Sequence, residues 1–148
     1  MLKVKDLHSN DKKEWLELWD GYLKFYKTDL SIEQTELTWN RLLDKNYNSF
    51  CLVADLDGKV LGIANYSFQT STWSQNNYCY LEDLFIKNDI RRSGVGGALI
   101  EAVKQIAKDS GSTRLYWNTD KNNEIARNLY DKFASEAGFV QYRVQLEL

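Results

Sequence analysis

The stretch RRSGVGGALI, residues 91–100, places two arginines and three glycines at the start of an apolar helical pattern. The first backbone N–H groups of a helix have no partner within the helix, and the helix dipole adds partial positive charge at the same end. Glycines let an anionic oxygen cluster approach this backbone, and Arg91 and Arg92 can add charge-assisted hydrogen bonds. These residue types in this order are suited to binding a pyrophosphate.

Two familiar phosphate-binding patterns do not fit the same stretch. A Walker A loop ends in Gly-Lys-Ser/Thr, whereas the glycine pair here is followed by Ala98. The dinucleotide pattern GxGxxG fails because its sixth position is Leu99, and the preceding strands are predicted to be antiparallel. Taken alone, the glycine cluster is equally well explained as a tight turn from a strand into a helix.

Acid–base chemistry must come from carboxylates, tyrosines or lysines. His8 is the single histidine of the chain, which excludes Ser-His-Asp, Cys-His and HExxH chemistry. Cys51 and Cys79 lie far apart and neither belongs to a CxxC pair, so we expect no metal site and no redox pair. Both cysteines are expected to pack as small apolar side chains.

Composition bounds the class of protein. The 148 residues fit one domain spanning 1–148, and the net charge of -2 with a pI of about 5.5 argues against binding to nucleic acid or an anionic membrane. The sequence contains no apolar run of membrane-spanning length and no apolar segment typical of a secretory signal near its start. We therefore expect a cytoplasmic protein.

The pattern of elements predicts an α/β fold. An initial short strand is followed by two helices, then by two strands joined through Asp57-Gly58 as a hairpin. The run YCYLEDLFI predicts a third antiparallel strand, whose alternation puts Leu81, Asp83 and Phe85 on one face. The glycine-rich helix, the strand STRLYWNT, a helix capped by Asn122 or Asn123 and a last strand from Phe139 complete the order.

Two motifs within this order resemble a known family. Arg91-x-x-Gly94-x-Gly96, entered from a strand that carries a carboxylate, resembles the acyl-CoA-binding motif of the GNAT superfamily of N-acetyltransferases. NNEIARNLY matches the family pattern Asn-x-x-Ala-x-x-x-Tyr, and the resemblance covers nearly the whole chain. The segments YDKFASEAGF and LWDGYLKFY look most like the branch of the yeast Hpa-type acetyltransferases, with diamine acetyltransferases more distant.

The resemblance implies a central mixed, mostly antiparallel twisted sheet flanked by about four helices. It also implies direct transfer of an acetyl group from acetyl-CoA, without a metal, to the primary amine of a small molecule such as a polyamine or an amino acid. Acetylation of histone or other protein lysines is a second interpretation, and a non-catalytic CoA-binding regulatory domain is a third. The presence of Glu82, Tyr130 and Asn123 together argues against the third.

Two residues are predicted to carry the chemistry. An alkylamine has a pKa of roughly 10, so about one molecule in a thousand is nucleophilic at neutral pH. Glu82 is the candidate base, acting directly or through water, and alternation predicts that Asp83 points away from it. Tyr130 matches the family position near the CoA sulfur and is the candidate acid for the departing thiolate.

The resemblance also implies a set of binding residues. The backbone of Leu84, Phe85 and Ile86 matches the positions that contact pantetheine and the developing oxyanion. Asn123 matches a residue that contacts pantetheine, and a helix cap is an equally good explanation for it. The predicted pyrophosphate contacts are Arg91, Arg92, Ser93, Gly94, Val95, Gly96 and Gly97.

The acceptor site is predicted near Glu82 and the junction of the first two helices. Tyr22 and Asp29 lie there, and Asp29 forms an acidic segment with Glu33 and Glu36. A solvated helix face explains that acidic segment equally well.

The end of the chain departs from many relatives. After Phe139 only VQYRVQLEL remains, without a turn residue for a terminal hairpin. We therefore expect one long terminal strand that finds its partner across a homodimer.

Overall fold

The computed structural model describes residues 1–87 and 94–147. The strands are β1 (Leu2–Asp6), β2 (Phe50–Leu56), β3 (Lys59–Gln69), β4 (Asn77–Ile86) and β5 (Ser112–Tyr116). The helices are α1 (Lys12–Phe25), α2 (Ile32–Leu43), α3 (Val95–Asp109) and α4 (Glu124–Tyr130), and a short 3-10 turn, Ser9–Asp11, leads into α1.

The five strands form one sheet in the order β1-β2-β3-β4-β5. The neighbouring strands are antiparallel except for β4 and β5, which are parallel. The predicted mixed, mostly antiparallel sheet is confirmed. Asp57 and Gly58 have φ angles of 51° and 90°, as a tight hairpin turn between β2 and β3 requires.

Helices pack on both faces of the sheet. On one face, α1 and α2 bury a tryptophan cluster of Trp15, Trp19 and Trp39 against apolar residues of β2, β3 and β4. On the other face α3 approaches Gly62, where an added Cβ would lie 3.1 Å from side-chain atoms of Leu99. The sheet is thus covered by helices on both sides, and α1 and α3 both contact β4.

Local signals in the sequence set the helix ends. The Ser31 hydroxyl accepts a hydrogen bond from the Gln34 N–H at 3.1 Å, which caps the start of α2. Gly111 follows α3 with a φ of 77°, the left-handed conformation that commonly ends a helix. Both boundaries agree with the sequence-based prediction.

The chain divides into two compact units, Met1–Asn118 and Thr119–Leu148. The first contains the whole sheet with α1, α2 and α3. The second contains α4, where Arg127 forms an ion pair of 2.6 Å with Glu136. One domain over residues 1–148 stays a prediction.

The predicted terminal strand is wrong for the chain by itself. Residues 139–147 have no regular secondary structure, and their side chains are exposed. A strand exists only where a neighbour completes its backbone hydrogen bonds, and no described residue pairs with this segment.

Within residues 1–87 and 94–147, no helix has the length and apolar character needed to cross a membrane.

Candidate active site

Glu82 occupies a β-bulge in the middle of β4. On β3 the consecutive residues Asn65 and Tyr66 pair with Asp83 and Leu81, so Glu82 has no partner position across the ladder. A bulge adds one residue to one strand, bends it and ends its regular alternation. The candidate base therefore stands at the point where β4 changes direction.

This bulge corrects the predicted facing of β4. Residues paired across antiparallel strands share a face, so Asp83 lies with Asn65 and Leu81 lies with Tyr66, on opposite faces. Strict alternation predicted Leu81 and Asp83 on the same face, which is wrong. Phe85 belongs to the core cluster beneath α1, and Asp83, two residues before it, shares that side of the sheet.

Two donor groups interact with Asp83 on the α1 side. Asn65 Nδ2 donates to Asp83 Oδ2 at 3.0 Å, and the Tyr22 hydroxyl is a second donor group that lowers the pKa of the carboxyl. Desolvation raises the pKa of Asp83, and these two donors lower it, with desolvation the larger effect. The structure thus places Tyr22, which was predicted to contact the acceptor, beside Asp83, the residue that follows Glu82.

Negative charge concentrates around the bulge. Desolvation, and after it the charge of Asp83, raises the pKa of Glu82 above its ordinary 4.5. Desolvation is also the main cause of the raised pKa of Tyr22 and of Tyr80, with Glu82 and Asp83 contributing to both. A positively charged group binding here would relieve the repulsion between the two carboxylates.

Aromatic rings from α1, from the residue that follows α1 and from β4 surround Tyr22. Its ring centroid lies 5.6 Å from that of Trp19, 4.9 Å from Tyr26 and 5.9 Å from Phe85. These contacts fix the phenol beside Asp83, because a ring packed on several sides cannot change rotamer freely.

The remaining acidic residues of the predicted acceptor site lie apart from this cluster. Asp29 lies on the exposed connection between α1 and α2. Glu36 forms an ion pair of 2.9 Å with Lys12, which offsets part of its charge. The structure thus places Tyr22, and not Asp29, against the β4 carboxylates.

The edge of β4 that faces β5 opens beyond Tyr80. The two strands pair only up to Tyr80 and Tyr116, and no described strand pairs with the rest of β4 on that side. The Lys87 N–H bonds to the Leu61 carbonyl on β3 at 2.9 Å. By alternation the backbone groups of Phe85 also face β3, whereas those of residues 84 and 86 face the opening.

The backbone groups of the three residues predicted to contact pantetheine therefore point in two directions. Leu84 and Ile86 present their N–H and C=O groups at the opened edge, where an extended ligand could pair as a strand does. Phe85 uses its backbone within the sheet and its side chain in the core.

The start of α3 fits the predicted pyrophosphate site. Gly94 is the N-terminal cap, with a φ of 88°, and among the described residues other than its chain neighbours no atom lies within 4 Å of the place a Cβ would take. The first hydrogen bond into α3 runs from the Ala98 N–H to the Gly94 carbonyl, so the N–H groups of Val95, Gly96 and Gly97 precede that bonding pattern. The predicted contacts from Arg91, Arg92 and Ser93 lie outside the described residues.

In the second unit, the predicted residues lie at the two ends of α4. Asn123 caps the helix, since its Oδ1 accepts a hydrogen bond from the Ala126 N–H at 3.2 Å. Tyr130 is the last residue of the helix. The predicted capping role of Asn123 is confirmed, and its contact with pantetheine stays a prediction.

Neither cysteine is placed to act as a nucleophile. Cys51 and Cys79 are free and buried. Desolvation raises the pKa of both thiols, that of Cys79 to about 11, so each is protonated at neutral pH. This state favours direct acetyl transfer over an acyl-cysteine route.

Among the described residues, no group of three or more His, Cys, Asp or Glu side chains could hold a metal ion.

Sequence reasoning missed Asn65. This residue is buried in β3, which has eight consecutive buried positions. An asparagine in an apolar strand was the available signal, because burying an amide costs free energy unless it has a specific partner.

Comparisons with known proteins point to one family of enzymes. The profile of the acetyltransferase (GNAT) family matches residues 12–134. The chain is 32% identical to the D-amino-acid N-acetyltransferase of Saccharomyces cerevisiae, over 95% of this chain and 88% of the yeast protein. It is 33% identical to the thialysine N-epsilon-acetyltransferase of Bos taurus, over 58% of this chain and 55% of the bovine protein. A crystal structure of an aminoglycoside acetyltransferase from an uncultured soil metagenomic sample superposes with a TM-score of 0.83 at 25% identity, covering 99% of this chain and 97% of that one.

Proposed function

We propose, from the premise that the chain belongs to the GNAT family of acetyltransferases, that its acceptor is a small cationic amine such as an amino acid or a diamine. As a member of this family, the protein transfers an acetyl group from acetyl-CoA to an amine. The relatives described above are named for D-amino acids, thialysine and aminoglycosides, which supports a small acceptor. The adjacent carboxylates of Glu82 and Asp83 support a positively charged one.

The observation that carries this proposal is the place of Glu82 at the bulge of β4, beside a second carboxylate. An alkylammonium ion with a pKa of roughly 10 must lose a proton before its nitrogen can attack. Glu82 takes that proton, directly or through one water. Its raised pKa makes it a stronger base than an ordinary glutamate, which favours the proton transfer.

Acetyl-CoA supplies the acetyl group as a thioester. The N–H groups at the start of α3 bind its pyrophosphate, with further contacts from Arg91, Arg92 and Ser93. The backbone of Leu84 and Ile86 pairs with its extended arm at the opened edge of β4.

Tyr130 acts at the end of the reaction. The departing thiolate, whose conjugate thiol has a pKa of roughly 8.5, takes a proton from the phenol. Asn123 contacts the pantetheine arm in addition to capping α4. Both assignments rest on the match of NNEIARNLY to the family pattern.

A panel of acceptors tests the function. Release of free thiol from acetyl-CoA is measured with polyamines, D- and L-amino acids, aminoglycosides and a lysine-rich peptide, for the wild-type protein and Tyr130→Phe. We expect one class of small cationic amine to react, and turnover to fall at least tenfold in Tyr130→Phe while acetyl-CoA binding is kept.

Other results on this panel would overturn parts of the proposal. Reaction with the peptide alone would identify a protein lysine acetyltransferase. No thiol release with any acceptor of the panel, together with intact acetyl-CoA binding, would support a CoA-binding regulatory domain. Full activity of Tyr130→Phe would remove the phenol from the chemistry.

We also propose a cytoplasmic homodimer. The free thiols of Cys51 and Cys79 are typical of a reducing compartment. The exposed residues Val140, Tyr142, Val144 and Leu146 alternate with polar ones, which favours pairing of this segment with a second copy.

A further inference from the structure

Asn65 is a buried amide that is only half satisfied. The residue is 4% exposed, and its Nδ2 donates to Asp83 at 3.0 Å. Its Oδ1 is buried without a hydrogen-bond partner among the described residues. A buried acceptor that lacks a donor lowers stability, so packing alone does not explain an amide here.

The geometry around Asp83 provides an explanation for this cost. The carboxylate is partly buried, a position that disfavours its charged form. Asn65 reaches it from β3, and Tyr22 reaches it from α1. Two donors from two separate elements restrict both the orientation of the carboxylate and its tendency to take up a proton.

We propose that Asn65 and Tyr22 are positioning residues that keep the Asp83 carboxylate ionised and fixed next to Glu82, so that the acceptor ammonium meets two negative charges. This inference rests on the proposed function, in which the acceptor amine binds beside Glu82. In this arrangement, one residue of β3 and one residue of α1 control the charge of the acceptor site.

Three other titratable groups feel the charge of Asp83, and none of them contributes to lowering its pKa. They are Glu82 and Tyr80 on β4 and Cys51 on β2. All of them are acids, and the charge of Asp83 raises the pKa of each. Loss of either donor group therefore leaves the Asp83 charge less well stabilised.

Two variants remove one donor each. Asn65→Leu replaces the amide with an apolar side chain of similar size, and Tyr22→Phe removes the hydroxyl while keeping the ring packing. On the acid limb of the pH profile of acceptor kcat/KM, we expect the inflection that belongs to Asp83 to move upward by about one pH unit in both variants, because Asp83 takes up a proton more easily. The acceptor KM at pH 7 should rise roughly tenfold, with the Kd for acetyl-CoA unchanged.

The stability of the variants distinguishes a positioning role of Asn65 from a role in core packing. Asn65→Leu also removes the buried unpaired Oδ1, so we expect its urea midpoint to stay within error of the wild type or to rise. A lower midpoint with matching losses of acetyl-CoA binding and activity, and no change in the pH profile, would assign Asn65 to the core and overturn the proposal. If Asn65→Leu does not fold, Tyr22→Phe decides by the same readouts.

Glu82→Gln is measured beside the two variants. An unchanged rate and profile in Glu82→Gln would overturn the proposed base. An altered profile in Glu82→Gln, with wild-type profiles and KM values in Asn65→Leu and Tyr22→Phe, would overturn only the positioning role.

Discussion

Gly21 on α1 lies directly against Phe85 on β4, where an added Cβ would be 3.0 Å from Cε2 and Cζ of the ring. Glycine in the interior of a helix costs about 1 kcal/mol relative to alanine. The helix therefore gives up some stability in exchange for a close approach to β4. The next residue, Tyr22, interacts with Asp83, so this approach also places the phenol at the proposed acceptor site.

Gly21→Ala tests the importance of that approach. Alanine gains about 1 kcal/mol of helix propensity, whereas forcing a methyl group against the Phe85 ring costs about 1–3 kcal/mol. We expect a net loss of about 1 kcal/mol in urea unfolding and a raised acceptor KM. Glu17→Ala, at an exposed position of the same helix, is the matched control and should be neutral or stabilising. Equal stabilisation by both changes would show that Phe85 moves aside without cost.

Gly94→Ala tests the start of α3 as the pyrophosphate site. Gly94 and Gly58 have φ angles of 88° and 90°, and in the part of the chain that the structure describes neither has a non-neighbouring atom within 4 Å of a Cβ position. Alanine at either position should cost about 1–2 kcal/mol from left-handed backbone strain. Only Gly94→Ala should also weaken acetyl-CoA binding, at least tenfold by calorimetry, because it distorts the N–H groups that follow. Equal affinity in the two variants would place the pyrophosphate elsewhere.

The sequence predicted the features that depend on local chemistry. The Asp57-Gly58 hairpin, the Ser31 cap and the end of α3 at Gly111 each follow from residues within one turn of the feature. The order of the first five strands and four helices followed from hydrophobic periodicity. Motifs then connected this order to a family and its co-substrate.

Features that depend on pairing between distant segments were not predictable in the same way. The bulge at Glu82 is defined by the register of β4 on Asn65 and Tyr66, and a strand sequence alone does not show its register. Residues 139–147 alternate as a strand does, yet pairing needs a neighbour. The pair of Asn65 and Asp83 joins residues 18 positions apart.

The pH dependence of stability tests the environment of Asp83. Its pKa in the folded protein is raised above the ordinary 3.8, so the folded state binds the proton more tightly than the unfolded chain. Stability therefore falls as the pH rises from about 3.8 through the raised value, and then levels off.

Asp83→Asn removes this titration. The difference in free energy of unfolding between the variant and the wild type should shift in favour of the variant as the pH rises from 4 to 7, as measured by urea unfolding at each pH. A difference that does not change with pH would contradict the raised pKa. Acceptor turnover should fall in the same variant, because the second charge of the site is lost.

Glu82→Gln tests the base through the pH–rate profile. For the wild type, kcat/KM should fall as the pH drops through the raised pKa of Glu82, because the protonated carboxyl cannot accept a proton. In Glu82→Gln we expect a loss of about 10²–10⁴-fold and the disappearance of the Glu82 inflection, so that only the inflection of Asp83 remains on the acid side. Glu101→Gln, on the exposed surface of α3, controls for the loss of one negative charge. Parallel profiles for all three proteins would exclude Glu82 as the base.

Residues 139–147 provide a test of the homodimer. Tyr142 and Val144 are 93% and 83% exposed, on the same side of an extended chain, while Gln141 and Gln145 lie on the other. Apolar residues at this spacing bury one face when the segment pairs with a second copy. We expect Tyr142→Ser with Val144→Ser to convert a dimer into a monomer at micromolar concentration, as measured by light scattering, whereas Gln141→Ser with Gln145→Ser keeps the dimer. A monomeric wild-type protein would refute the proposed dimer, and dissociation by both pairs would show that the apolar face is not what holds it together.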